Sequence, residues 1–231
     1  MDGPTRYVQW INEHLGFNPR SAANSNALSE YIIDDLRNAS PLAIQALTDS
    51  GSLVPLKNAS VSTKVTVRNI DLVLYELQAL PVISVQVAVE HKTVMTAHGK
   101  ARKNRYGDII AYCNHMHNHR RECVVGATVV INTSEVYENP DSFARGLERP
   151  KFKTEKVVKD TIKVFESIPL RESPDEPSDS PEALAIIVVN YDGTNTATLV
   201  EDEPAPSAKS PIHYDNFIRR LAQKYEDRFC P

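Results

Sequence analysis

Two stretches of this chain are apolar almost without interruption: CVVGATVVIN (123–132) and ALAIIVVN (183–190). A strand with one solvated face alternates apolar and polar residues. A strand without a polar face must be covered on both sides, as in sheets that carry helices on both faces. Helical periodicity supplies the cover. Val8, Ile11 and Leu15 predict a first helix over about 5–15, and Leu28, Ile32 and Leu36 a second in SNALSEYIIDDLRNA. A short helix is expected after Pro41, and a long one over about 97–118 with Tyr106, Ile109, Ile110, Cys113 and Met116 as its apolar stripe. TEKVVKDTIKVFESI and YDNFIRRLAQKYEDRF read as amphipathic helices. Further strands are expected at STKVTV (62–67), IDLVLYE (70–76) and ISVQVAVEHK (83–92), all rich in β-branched residues. The expected fold is therefore α/β, a mixed central sheet flanked by helices.

Chain length and composition bound the rest. The 231 residues suit one well-filled domain, and a 41% hydrophobic, 24% charged content is ordinary for a globular protein. No stretch reaches the roughly 18 apolar residues of a membrane span. MDGPTRYVQW has neither a basic n-region nor an apolar h-region, so no secretory leader is expected. Three cysteines are an odd number without a disulfide framework, which fits a reducing cytoplasm. Two proline- and acid-rich stretches, 171–182 and 201–211, read as surface connections inside a single domain, 1–231.

Two of the strand-like segments each carry an acid amid Val, Ile and Leu: Asp71 in VRNIDLVLYE and Glu90 in ISVQVAVEHK. Burying such an acid costs several kcal/mol unless a cation meets it. Lys92 follows Glu90 at i+2, so in a strand the two share a face and His91 points to the other. Two carboxylates and a lysine so placed suit a divalent metal that activates water against a phosphodiester.

Charge distribution points the same way. The net charge is −4, yet His91 to Arg121 holds seven Lys and Arg residues against Asp108 alone, a net of +6, and five of the seven histidines. A basic stretch directly after the acid pair is where a polyanion would lie.

The order helix, strand with Asp71, strand with Glu90-x-Lys92, helix, buried strand resembles the PD-(D/E)xK, or restriction-endonuclease-like, nuclease superfamily over about residues 24–133. The separation of 19 residues between Asp71 and Glu90 is within that family's range, while Ile70 stands where the family name has proline. The resemblance implies a restriction-endonuclease-like core with C-terminal elaborations over 134–231. It implies a metal-dependent endonuclease hydrolysing DNA, of restriction or defence type, cytoplasmic and acting as a homodimer or higher homo-oligomer on double-stranded DNA. Asp71 and Glu90 would hold Mg²⁺, or Mn²⁺ in its place, with the His91 backbone carbonyl as a further ligand, and Lys92 would act on the water or the transition state. The family's first helix often adds an acid; Glu30 is the positional candidate, with Asp34 and Asp35 competing. His98, Lys100, Arg102, Lys103 and Arg105 would meet the DNA.

The alternative reading is a catalytically inactive nucleic-acid-binding or assembly protein that retains the fold. Gln86 lies on the Glu90 face as a site neighbour or as polar packing. CNHMHNHRREC (113–123) invites zinc, but on a helix His115 and His119 share a face that His117 does not, so it reads as a polar helix end.

Overall fold

A computed structural model of the chain describes residues 2–19, 21–77, 84–137 and 154–230. The elements, in order, are α1 (Gly3–Glu13), α2 (Ala22–Ala39), a π-helical turn (Pro41–Gln45) running into α3 (Ala46–Asp49), β1 (Leu53–Ser62), β2 (Val67–Glu76), β3 (Ser84–Val94), α4 (His98–His119), β4 (Val124–Asn132), α5 (Thr154–Glu166), β5 (Ala183–Asn190), β6 (Thr198–Leu199) and α6 (Tyr214–Phe229). The six strands form one sheet whose spatial order is the chain order. β1, β2 and β3 make an antiparallel meander, β3, β4 and β5 run parallel, and β6 returns antiparallel. Parallel neighbours require crossovers, supplied by α4 between β3 and β4 and by the segment holding α5 between β4 and β5.

The helices divide between the two faces, and the side chains of the central strands alternate accordingly. Val87 and Val89 of β3 and Ala183, Ala185, Ile187 and Val189 of β5 pack with α1, α2 and α6. Ala88 and Val94 of β3, the odd-numbered Val125 to Ile131 of β4, and Leu184, Ile186 and Val188 of β5 pack with α4 and α5. All nine residues of β4 are buried. Gly126 of this strand lies under α6, where an added Cβ would come within 3.1 Å of Phe217 and Leu221. The helix-covered sheet that the two apolar runs demand is thus present, and its strand directions are mixed.

The meander departs from the sequence reading. STKVTV is the tip of the β1–β2 hairpin, whose turn is closed by the Thr63 N–H to the Thr66 carbonyl at 2.9 Å. The strand before it, β1, was not expected. It is an edge strand, largely exposed in its middle, and Pro55, Lys57 and Asn58 break its apolar pattern. The β-branched density of 61–67 comes from both sides of a turn.

The hairpin also bends. β1 and β2 pair from Leu53–Glu76 to Ser62–Val67 with one pair missing, Asn58 opposite Asp71. Asn58 has φ of 50°, the left-handed region that Asn tolerates better than most residues. The β2–β3 ladder ends at Leu72–Val89, one position short of Asp71. From there the arm made of residues 59–70 leaves β3 and leans on α4: Val61 and Ile70 join the α4 side of the core, and the Arg68 guanidinium lies 6.0 Å from the Tyr112 ring centroid.

At the opposite end of the sheet Glu182, fully buried, collects four partners. One oxygen meets Arg171 at 3.1 Å and Arg228 at 2.9 Å; the other accepts from the Val125 N–H at 2.7 Å and lies 3.0 Å from His117 Nε2. Burial alone would push this carboxyl up, but His117, Arg228 and the Val125 N–H outweigh it and hold it below the ordinary range. Loop 171–182, α4, β4 and α6 are tied at this point. Of the histidine cluster, His117 is engaged here, its Nδ1 facing the Ser178 carbonyl at 2.9 Å.

Candidate functional site

Asp71 sits at the bend of β2, where it has lost both ladder partners. Its main-chain carbonyl accepts from the Ser29 hydroxyl of α2 at 3.1 Å, and its Oδ2 accepts from the His91 N–H at 2.7 Å. The carboxylate thus takes the place of the strand pairing that ends one residue earlier. Ser29 is fully buried and also lies 3.0 Å from His91 Nε2, while His91 Nδ1 lies 2.8 Å from the Thr128 hydroxyl of β4. Burial pushes the imidazole down to about 4 despite the pull of Asp71, so His91 is neutral at neutral pH. The Ser29 hydroxyl spends its one proton on the Asp71 carbonyl and so accepts from His91 Nε2–H, which leaves Nδ1 to accept from the Thr128 hydroxyl. The His91 side chain is therefore a strut between α2 and β4 on the face opposite Glu90, as alternation requires.

Glu90 is buried, and Lys92 Nζ donates to its Oε1 in direct contact. The pairing confirms that the two side chains share a face. Burial raises the Glu90 carboxyl above its ordinary range; Lys92 opposes this, Asp71 adds to it, and Arg68 of the bent arm opposes it again. Tyr112 of α4 belongs to the same surroundings. Burial first, then Glu90, hold its phenol well above its ordinary range, and its hydroxyl is buried without a hydrogen-bond partner among the described residues.

Asp71, His91, Lys92 and Thr93 open onto a cleft of about 180 Å³ whose other walls are Pro19, Ser21, Asn24 and Ser25 at the start of α2 and Arg105 of α4. Ser21 caps α2 through the Asn24 N–H. Of the α4 residues expected to meet DNA, Arg105 lines this cleft; its Nη1 meets Asp108 at 2.8 Å. Lys100 and Lys103 are exposed on α4 outside it, and Arg102 turns toward Asp160 of α5 at 4.0 Å.

Three more expected site residues lie elsewhere. Glu30 is exposed and pairs with Lys57 of β1 at 2.7 Å, on the flank of α2 away from the cleft. Its competitors fare no better: Asp34 and Asp35 both meet Arg6, and Asp35 also accepts from the Tyr214 hydroxyl. His98 is turned inward, 1% exposed, with Nε2 2.8 Å from the Asn132 carbonyl, so it ties α4 to β4. Gln86 donates to Glu76 at 2.6 Å, carried off the Glu90 row by the irregular register of β2 and β3 near it. The residues at the start of α2 and along it that do reach the site, Ser21, Asn24, Ser25 and Ser29, carry no charge, so nothing in the sequence sets them apart as site residues.

Asp71 and Glu90 offer hard oxygen donors from adjoining strands, with the His91 carbonyl between Glu90 and Lys92 in the chain. Mg²⁺ is commonly held through one or two carboxylates while keeping waters and substrate phosphate, so the donor chemistry fits it. No helix among the described residues is long and apolar enough to cross a membrane. No family model matches the chain, and no curated protein or solved structure is significantly similar to it.

Proposed function

We propose that this chain is a magnesium-dependent endodeoxyribonuclease with a restriction-endonuclease-like core. The observation that carries the reading is the position of Asp71 and Glu90. They stand on adjacent strands one step beyond the end of the β2–β3 ladder, with Lys92 on the Glu90 face and Arg105 across the cleft. The β3–α4–β4 crossover into a parallel, fully buried strand supports the same reading.

In this reading Asp71 and Glu90 hold the cation. When bound, it lowers the pKa of a coordinated water and offsets charge on the phosphoryl oxygens. The protein groups do the rest. Ser29 and the His91 N–H fix the Asp71 main chain and carboxylate, so the ligand geometry is set before substrate arrives. Lys92, already lining the cleft, orients the attacking water or donates to the charge that develops on phosphorus-bound oxygen. Arg105 neutralises a neighbouring phosphate. Each chain carries one such site, so cutting both strands of a duplex calls for two copies, and the active species is proposed to be a homodimer of restriction or defence type.

The direct Lys92–Glu90 ion pair also supports a second reading, a nucleic-acid-binding protein that keeps the fold and uses the pair only to fill the sheet. Incubating purified protein with plasmid DNA, with magnesium, with manganese and with excess chelator, separates them. The nuclease cuts with either metal and stops with chelator; binding without cutting in every condition leaves the second reading.

A further inference from the structure

Apart from Arg68, whose charge acts on Glu90, the bent arm, residues 59–70, plays no part in the chemistry just described. From Gly51 to Ile70 the chain has no Asp or Glu over twenty residues, although the whole chain has 30 among 231; the same stretch holds Lys57, Lys64 and Arg68. Its two faces differ. Ala59, Val61, Arg68 and Ile70, which pair across the ladder, turn toward α4. The other pairs, Ser60–Asn69 and Ser62–Val67, are exposed, as are Lys64, Val65 and Thr66 at the tip. Val65 and Val67 are 68% and 64% exposed. The Ser60 hydroxyl donates to Asn69 Oδ1 at 2.7 Å and so fixes the plane of that amide.

We infer that this arm is the sequence-reading element of the nuclease proposed above, a two-stranded ribbon that enters the major groove of duplex DNA beside the cut. The inference rests on that functional reading. The major groove admits such a ribbon, and the outward groups match what its floor offers: an Asn amide for the adenine edge, serine and threonine hydroxyls for donors or acceptors of any base, and apolar side chains for the thymine methyl. A surface without carboxylates, with Lys64 at its tip, suits a polyanion and disfavours an acidic protein partner. The arm is continuous with the site, since Asn69 is two residues from Asp71 and Thr66 five. A strand advances about 3.4 Å per residue, close to the roughly 3.4 Å step of each DNA strand. The bases read should therefore lie about two to five pairs from the cut phosphate.

The test uses the full chain and duplexes with a randomised centre. The pool retained by the protein is sequenced, and cut positions are mapped in magnesium. Native protein should enrich particular base pairs two to five positions from the cut. The paired substitution Ser60→Ala, Asn69→Ala should relax that preference by roughly 5- to 150-fold at one or two pairs, the range of a lost bidentate contact, while melting and the cutting of unselected DNA persist. An unchanged preference in this variant and in Val65→Ser, Val67→Ser overturns the inference, as does a native protein that binds no duplex or enriches no base. So does a change confined to self-association in the valine variant, which would make a second copy the arm's partner. A native protein that binds and selects duplex without cutting it removes the nuclease reading but still judges the arm, through the retained pool.

Discussion

Replacing Asp71 separates two roles that the structure gives one side chain. Its Oδ2 accepts the His91 N–H where the ladder has ended, and in the proposed reaction the carboxylate holds the cation. Asp71→Asn keeps an oxygen at that position. Exchanging a charged acceptor for a neutral one costs about 1 kcal/mol, which for a chain of this size lowers the melting temperature by roughly 2–4 °C. Asp71→Ala instead leaves the His91 N–H without its acceptor. That costs about 1–3 kcal/mol, or roughly 2–12 °C. Turnover should not follow this gradation. Both variants lose the anionic ligand, so both should cut supercoiled plasmid at least roughly 10²–10³-fold more slowly under single-turnover conditions in magnesium. Calorimetry and cleavage on the same preparations make the comparison. If Asp71→Asn melts near the native temperature and cuts within a few-fold of the native rate, Asp71 is only a backbone acceptor and the assigned site is wrong.

Lys92→Ala should lower turnover by a similar roughly 10²-fold or more while duplex affinity persists; retained cutting would leave Lys92 as a mere partner of Glu90. Arg105→Gln should reduce the slope of log K against log salt by about 0.9 on duplex DNA, whereas His98→Gln should lower stability and leave the slope alone; the reverse pattern would mean that the cleft is not where phosphate lies. Glu182→Gln leaves Arg171 and Arg228 buried without their carboxylate and should cost about 3–5 kcal/mol in urea unfolding, against less than about 1 kcal/mol for Glu30→Gln in an exposed pair; equal losses would refute the role given to the buried network. Because the folded Glu182 carboxyl lies below the usual 4.5, its contribution is complete above that pH and declines as pH falls through the depressed value, so Glu182→Gln should remove part of the acid-side loss of stability.

What could be read from the chain depended on how local the determining contacts are. The α4 stripe was legible because Ile109, Cys113 and Met116 recur at helical spacing, and all three are buried. Glu90 and Lys92 were legible because strand alternation alone puts them together. β1 was not, since an edge strand with Pro55, Lys57 and Asn58 has no periodic apolar face, and the valines of the tip mimic a strand core. The basic stretch announced polyanion chemistry, but its i, i+3 spacing could not say that Arg105 faces the cleft while Arg102 turns to α5. His98 and Glu30 were misplaced for another reason: their partners, Asn132 and Lys57, lie 34 and 27 residues away. In the sequence Glu182 is one more acid of the surface connection 171–182, because Arg171, His117 and Arg228 converge on it only in three dimensions.

The agreement between chain order and strand order in the sheet has a kinetic consequence. As the polypeptide leaves the ribosome each new strand can join the free edge left by the one before, and none has to be wedged between two already formed. The meander, with its short separations, is expected early, and the two parallel crossovers slow the later steps. The N-terminal helix is the exception to this vectorial growth. The side chain of Asn12 donates to the carbonyl of Ala197 and accepts its N–H, 185 residues onward. That contact can form only once Ala197 has emerged, although Arg6 can hold the same helix to α2 earlier through Asp34 and Asp35.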